Sequence, residues 1–243
     1  SLKLTMHIRN EIKFFLRKFG IDISRYNFIE NFDYRLKYFL DINNIDCVID
    51  IGANIGQYAK HLRRIGFKKN IISFEPLNDA YKILENKSEK DSKWQSINFG
   101  IGDKDEISEI NISKNSYSSS ILEMSSIHSN SAPDSIYLSK QKINIKKLDN
   151  LDLIKNLKYE NIFLKVDTQG YEDKVINGSI NIMDKIKGLQ IEMSLKELYK
   201  GQVLFDELYK IITNLNFELW DIKRGYSDSK SGKILQLEAI FIK

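Results

Sequence analysis

The chain has 243 residues, 42% of them apolar and 11% aromatic, which is enough to bury a substantial core and fits one α/β domain with a small N-terminal addition. Its 37 basic and 33 acidic residues leave a net charge of +4 with the two signs interspersed, which argues against the concentrated basic stripe of a nucleic-acid binder. Cys47 is the only cysteine, so an intrachain disulfide is excluded and no Cys/His set has zinc spacing; a reducing cytoplasm is the simplest compartment.

Residues 1–20 pattern as a helix, with Ile8, Ile12, Phe15, Leu16 and Phe19 on one face and Arg9, Lys13, Arg17 and Lys18 around it. No run reaches the roughly 20 apolar residues of a membrane span. Two readings stay open: a helix packed on its own domain or on a second subunit, giving a homodimer, or a basic amphipathic helix resting on a membrane surface. A second helix is expected over 31–43. The N-terminal helical segment therefore covers residues 1–45, and the main domain runs from 46 to 243.

Asp46-Cys47-Val48-Ile49-Asp50-Ile51 is a short apolar run closed by a glycine loop, the pattern of a buried parallel strand. A helix over 57–65 follows, then a strand over 70–74 ending on Glu75-Pro76, a helix over 78–87 and a strand over 94–99. This alternation predicts a doubly wound parallel sheet. Serines and asparagines crowd residues 113–132, which read as a long loop, either solvated linker or a lid. Beyond it come a strand over 142–147, a helix over 148–156, a strand over 162–167, a helix over 172–177, a strand over 188–193 and a helix over 202–215. Strands over 217–222 and 235–242 follow, joined by a polar turn with no helix, so they must be antiparallel.

The loop Asp50-Ile51-Gly52-Ala53-Asn54-Ile55-Gly56 leads from a strand into a helix. Glycines there permit close backbone approach to a ligand, and the helix N-terminus favours a carboxylate or phosphate. Asp50 beside it would receive an ammonium group, and Glu75, closing the next strand, would accept both hydroxyls of a ribose. The pair matches S-adenosyl-L-methionine. A nicotinamide oxidoreductase is the rival, but Gly52-x-Asn54-x-Gly56 lacks the spacing G-x-G-x-x-G.

These residues resemble the FkbM family of methyltransferases. The resemblance rests on the loop from Asp50 to Gly56, on Phe74-Glu75-Pro76, and on Leu164-Lys165-Val166-Asp167-Thr168-Gln169-Gly170-Tyr171-Glu172; it continues through Ser119-Ser120, Leu148-Asp149, Gln190-Ile191-Glu192 and Leu198-Tyr199-Lys200-Gly201-Gln202. It implies a class I, Rossmann-like methyltransferase fold and transfer of a methyl group to a hydroxyl, often of a sugar. Where the family commonly has Ala-Leu-Gly, this chain has Gly100-Ile101-Gly102 followed by Asp103, residues expected at the adenine edge of the pocket.

Methyl transfer from a sulfonium is an in-line displacement that gains most from positioning, with a base taking the hydroxyl proton late. Asp167, ending a buried strand at the carboxyl edge of the sheet, is the expected base; the competing reading is a helix N-cap. Lys165, two residues back on the same strand face, would bind an acidic acceptor or pair with a carboxylate. Glu192, at the end of the following strand, is a second acid on that edge, either catalytic or a structural ion-pair partner. Asp167 and Glu192 lack a third oxygen ligand, so no metal is expected. Gln169 and Glu172 are expected to orient the acceptor, Ser119 and Ser120 to close on it, and Tyr199 to stack on its ring. His128 is a candidate base, whereas His7 and His61 read as helix-surface residues. The acceptor is then a small molecule or glycan. A catalytically silent methyltransferase-like binding module is the remaining alternative.

Overall fold

A computed structural model describes residues 2–23, 25–156 and 158–243, with side chains from residue 10 onward. The chain divides into two units, Ser1–Phe39 and Leu40–Lys243. The division falls inside the second helix, six residues before the boundary expected after residue 45. In the first unit lie α1 (Leu2–Arg17) and most of α2 (Phe32–Ile42). The Asn31 side chain accepts from the Tyr34 amide at 2.9 Å and so caps α2. The His7 side chain lies outside the described residues.

In the second unit β1 (Cys47–Ile51) is buried along its whole length, and its sequence, apolar but for Asp50, fits a strand covered on both faces. It leads to α3 (Gln57–Arg64), β2 (Asn70–Phe74), α4 (Asn78–Ser88) and β3 (Trp94–Ile97). β4 (Gly100–Ile101), β5 (Glu106–Ser113), α5 (Ser126–Ser131), β6 (Tyr137–Lys146) and α6 (Asp152–Lys155) follow. The chain ends through β7 (Ile162–Val166), α7 (Glu172–Asn177), β8 (Ile186–Ser194), α8 (Phe205–Asn214), β9 (Glu218–Arg224) and β10 (Gln236–Ile242).

The main sheet has the order β3-β2-β1-β7-β8-β10-β9. β1 pairs in parallel with β2 and β7, β7 with β8, and β10 runs antiparallel to both β8 and β9. The expected antiparallel close is therefore present. It places a hairpin strand between β8 and β9, so the last strand made is not the edge strand. Leu164, Val166, Leu189, Ile191, Val175, Ile176 and Leu208 belong to the main apolar core. The order reverses at β1, between β2 and β7, and the loops leaving β1 and β7 diverge there, the point at which open α/β sheets bind ligands.

A three-stranded sheet of order β4-β6-β5 was not foreseen. β5 alternates half-buried and exposed residues over Glu106–Glu109 before Ile110 turns into the interior, too charged a segment for the apolar-run criterion that found the main strands. It forms because β6 offers it an antiparallel partner from Glu106 opposite Ile145 onward. The expected helix over 148–156 is shorter, a single 3-10 turn at Leu148–Asn150 followed by α6.

Candidate active site

At the carboxyl edge of the sheet, above β1 and β7, opens a cleft of about 230 Å³, at the position where open α/β sheets bind ligands. Its first wall comes from β1 and β2. Beyond β1 the backbone turns through Gly52 at φ 78° and Asn54 at φ 48°, and the amides of Gly52 and Ala53 both donate to the Phe74 carbonyl at 3.1 and 3.0 Å. A Cβ on Gly52 would stand 1.9 Å from the Asp167 carbonyl oxygen. Only glycine combines that φ with that approach. Gly56, at φ 82°, serves packing instead: its Cβ would meet the Trp94 ring at 2.7 Å, and it does not line the cleft.

Glu75 is 5% exposed and clamps the loop. One carboxylate oxygen accepts from the Asn54 amide at 2.7 Å and the other from the Leu77 amide at 2.8 Å. Burial pushes its pKa up to about 7 against the pull of those two amides. Pro76 and Leu77 continue the wall, with Phe74, Gly100 and Ile101 beside them.

The opposite wall is side-chain chemistry. Asp167, Gln169 and Glu192 all line the cleft. The Gln169 side-chain amide donates to Asp167 Oδ1 at 2.8 Å and to Glu192 Oε2 at 2.7 Å. Its own oxygen accepts from the Tyr199 hydroxyl at 2.7 Å. Gln236 donates a further bond to Glu192 at 2.8 Å. Burial, and then the charge of Asp167, raise Glu192 well above the usual carboxylate range.

Lys165 lies behind Asp167, with Nζ 3.2 Å from Asp167 Oδ2 and 3.4 Å from Asp50 Oδ1. The contact with Asp50 follows from register, because Asp50 is the neighbour of Lys165 across β1 and β7. Burial disfavours the Lys165 ammonium, but Asp167 and Asp50 outweigh it and its pKa moves upward. Of the two roles open to Lys165, the structure shows the carboxylate pairing.

The serine-rich segment forms the roof. Ser116, Tyr117, Ser119 and Ile121 line the cleft together with Ile110 and Ile143 of the small sheet. The segment is built rather than solvated: Asn111 and Ser120 exchange backbone hydrogen bonds at 2.8 and 3.2 Å, and Ser119 Oγ accepts from the Ser113 amide at 3.1 Å. The Asn54 side chain donates to the Ser116 carbonyl at 3.0 Å, tying roof to glycine loop.

Several expected site residues lie elsewhere. Asp50 is fully buried beneath the floor and engaged by Lys165 and Ser73, so it has no face toward a ligand. Gly102 and Asp103 are off the cleft; a Cβ on Gly102 would press on Ile145 and Tyr171 at 2.8 and 2.9 Å, and Asp103 sits 3.8 Å from Lys174. Gly100 and Ile101, two residues earlier, take the place expected of them. Ser120 is buried and donates to the Gln169 carbonyl at 2.7 Å. Glu172 accepts from the amides of Thr168 and Gly170 at 2.9 and 3.0 Å, so it shapes the loop, and burial pushes it up to about 7. Asp167 does not cap α7, which begins at Glu172 with Tyr171 at the N-cap position and no side-chain capping bond.

Tyr199 is fully buried, so no acceptor ring reaches it. His128 is packed edge-on against Tyr199, with ring centres 5.1 Å apart. Burial pushes it down to about 4, and it is an uncharged core residue away from the cleft. Tyr117 and Tyr171, which do line the cleft, were missed. The sequence signal for Tyr171 was its place directly after Gly170 in the Asp167 loop.

The seven-stranded order with its antiparallel insertion, the glycine loop after β1 and the acid that closes β2 define a class I, Rossmann-like methyltransferase fold. The chain belongs to the FkbM methyltransferase family: the methyltransferase FkbM domain profile matches residues 50–219. Its fold is similar to the crystal structure of methyltransferase FkbM from Methylobacillus flagellatus KT (TM-score 0.51, 14% identity), a match covering 81% of this chain and 44% of that one. This chain thus spans less than half the length of that relative. An rRNA methylase from Streptococcus thermophilus (TM-score 0.47, 11% identity; 89% of this chain, 99% of that one) and TrmK of M. capricolum bound to S-adenosylhomocysteine (TM-score 0.48, 14% identity; 86% and 68%) are more distant likenesses. No curated protein matches the sequence. The nicotinamide reading is overturned by the family match and by the antiparallel β10.

Proposed function

We propose that the protein is an S-adenosylmethionine-dependent O-methyltransferase acting on a hydroxyl of a sugar, carried by a small molecule or glycan. The observation that carries the reading is the side-chain amide of Gln169 bridging Asp167 and Glu192 on the wall opposite Glu75. The donor half fits the cofactor. Glu75 keeps acceptor capacity for two ribose hydroxyls beyond its two amide bonds. The turn at Gly52 and Asn54 brings backbone to the cleft, and Phe74, Leu77 and Ile101 offer an apolar slot for a purine. The buried Asp50 leaves the ammonium group to other acceptors. When bound, the sulfonium supplies an electrophilic methyl group.

The acceptor half does the proton chemistry. Asp167, held by Lys165 and Gln169, takes the hydroxyl proton as the oxygen gains its methyl. Glu192, driven toward its protonated form, is a donor to a neighbouring sugar oxygen and leaves Asp167 as the base. Tyr117 and Tyr171 supply ring faces and Ser116 and Ser119 hydroxyl-bearing contacts along the same cleft, a mixture suited to a sugar. The single, buried Cys47, whose thiol burial pushes up to about 12, fits a reducing cytoplasm.

Calorimetry with S-adenosylmethionine and NAD, followed by a mass-shift screen of free, nucleotide-linked and oligomeric sugars, tests this reading. Cofactor binding with methylation of a sugar hydroxyl is expected. NAD binding alone removes the donor assignment. S-adenosylmethionine binding with no hydroxyl methylated supports the silent-module alternative.

A further inference from the structure

The uneven placement of charge and apolar surface in the N-terminal unit points to a partner. Residues 1–29 hold six basic and two acidic residues, a net +4 equal to that of the whole chain, so the remaining 214 residues are balanced. The same stretch exposes large apolar side chains: Phe19 is 67% exposed, Phe14 60%, Phe15 59% and Ile12 51%, with Ile21 and Ile29 exposed beyond them. Soluble surfaces carry such residues singly, whereas a contiguous group marks an interaction site.

The arrangement is that of an interfacial helix. On α1, Ile12 and Phe15 fall with Leu16 on one side; Phe19 follows just beyond the helix, its ring 5.3 Å from that of Phe15. Lys13 and Lys18 flank this face, and Arg17 lies over the Phe14 ring at 5.7 Å. Asp22 accepts from Arg17 at 2.9 Å and stands 3.8 Å from Lys13; Lys18 and Arg25, whose backbone amide donates to Glu30 at 3.1 Å, complete the basic rim. No helix among the described residues is long and apolar enough to cross a membrane. A protein partner would need a matching pocket for four aromatic and aliphatic groups. An anionic bilayer meets both requirements at once, since phenyl and aliphatic groups enter the acyl boundary while lysines stay at the headgroups.

We propose that residues 10–29 dock the protein peripherally on an anionic lipid surface, with Ile12, Phe15 and Phe19 inserted and Lys13, Lys18 and Arg25 at the headgroups. The docking stands on charge and exposure in this unit and is independent of which acceptor the cleft methylates.

Flotation of the full chain with phosphatidylcholine vesicles, with and without phosphatidylglycerol, decides it. Binding at least about tenfold stronger to the anionic vesicles, weakened by high salt, is expected. Phe15→Ser/Phe19→Ser should abolish flotation, and Lys13→Glu/Lys18→Glu should remove the preference for anionic lipid, each checked for fold by circular dichroism. Absence of flotation of the unaltered chain overturns the proposal. So does flotation indifferent to both double substitutions. Sedimentation that shows a dimer broken by Phe15→Ser/Phe19→Ser, with no vesicle binding, assigns the face to a second copy of the chain and overturns it equally.

Discussion

The two ends of the cleft are made in different ways. The Glu75 end is backbone: adjacent strand ends β1 and β2 set two amides on the Phe74 carbonyl and two on the Glu75 carboxylate, and a glycine at φ 78° lets the chain pass the Asp167 carbonyl. The Asp167 end is side chains from β7, β8, β10 and the loop at Tyr199, converging on one glutamine amide. A site built of backbone tolerates little substitution but is written in a short local motif. A site built of long-range side-chain bonds is adjustable residue by residue, and this is the half in which acceptor choice would reside.

The largest expected effect strikes the backbone end. Gly52→Ala combines a left-handed φ with a Cβ 1.9 Å from a carbonyl oxygen, and should lower stability by about 3 kcal/mol or more and eliminate cofactor binding. Denaturant unfolding and calorimetry check it; a variant with normal stability would show that the loop relaxes and that the contrast is overdrawn. At the side-chain end, Asp167→Asn should reduce turnover by about 10² to 10⁴ while leaving cofactor affinity within about threefold. Unchanged turnover with the acceptor identified would sink the base assignment.

Tyr199→Phe is the next in size. It strips the hydroxyl that donates to the Gln169 amide oxygen, so we expect a loss of about 1–2 kcal/mol in stability. It should also reduce turnover with cofactor affinity unchanged, as the amide loses its fixed orientation toward the two carboxylates. A loss of cofactor affinity instead would mean that the two ends are not separable.

A pH series separates them by another route. Burial raises the folded-state pKa values of Glu75 and Glu172 to about 7 from the ordinary 4.5, so the folded state binds more protons than the unfolded chain between those limits. Stability therefore falls as pH rises from about 4.5 to about 7 and levels off above. Glu75→Gln and Glu172→Gln should each flatten that fall in thermal melts, and a slope unaffected by either would remove the burial argument. The smallest effect distinguishes neighbouring glycines. Gly102→Ala, crowded by Ile145 and Tyr171, should destabilise by about 1 kcal/mol, whereas Gly100→Ala, whose nearest contact is an ordinary 3.7 Å, should be nearly neutral in a melt.

Much of the main sheet was readable in the sequence because its strands are short apolar runs between glycine and acidic punctuation: β2 and α7 begin and end where the pattern puts them. β5 was not, because a strand with charged residues at Glu106 and Glu109 gains its stability from pairing with β6 rather than from its own composition. Among site residues, Gly52, Asn54, Glu75, Asp167, Gln169 and Glu192 were placed in the cleft by motif and strand end alone. Local sequence alone thus determined the sheet, its glycine loop and which strand ends carry acids, since those depend on periodicity and backbone sterics. Only the tertiary structure decided that Asp50 faces Lys165 instead of a ligand, that His128 and Tyr199 are core, and that Tyr117 and Tyr171 reach the cleft. Those outcomes depend on register between strands and on how segments distant in sequence pack, and no local pattern encodes either.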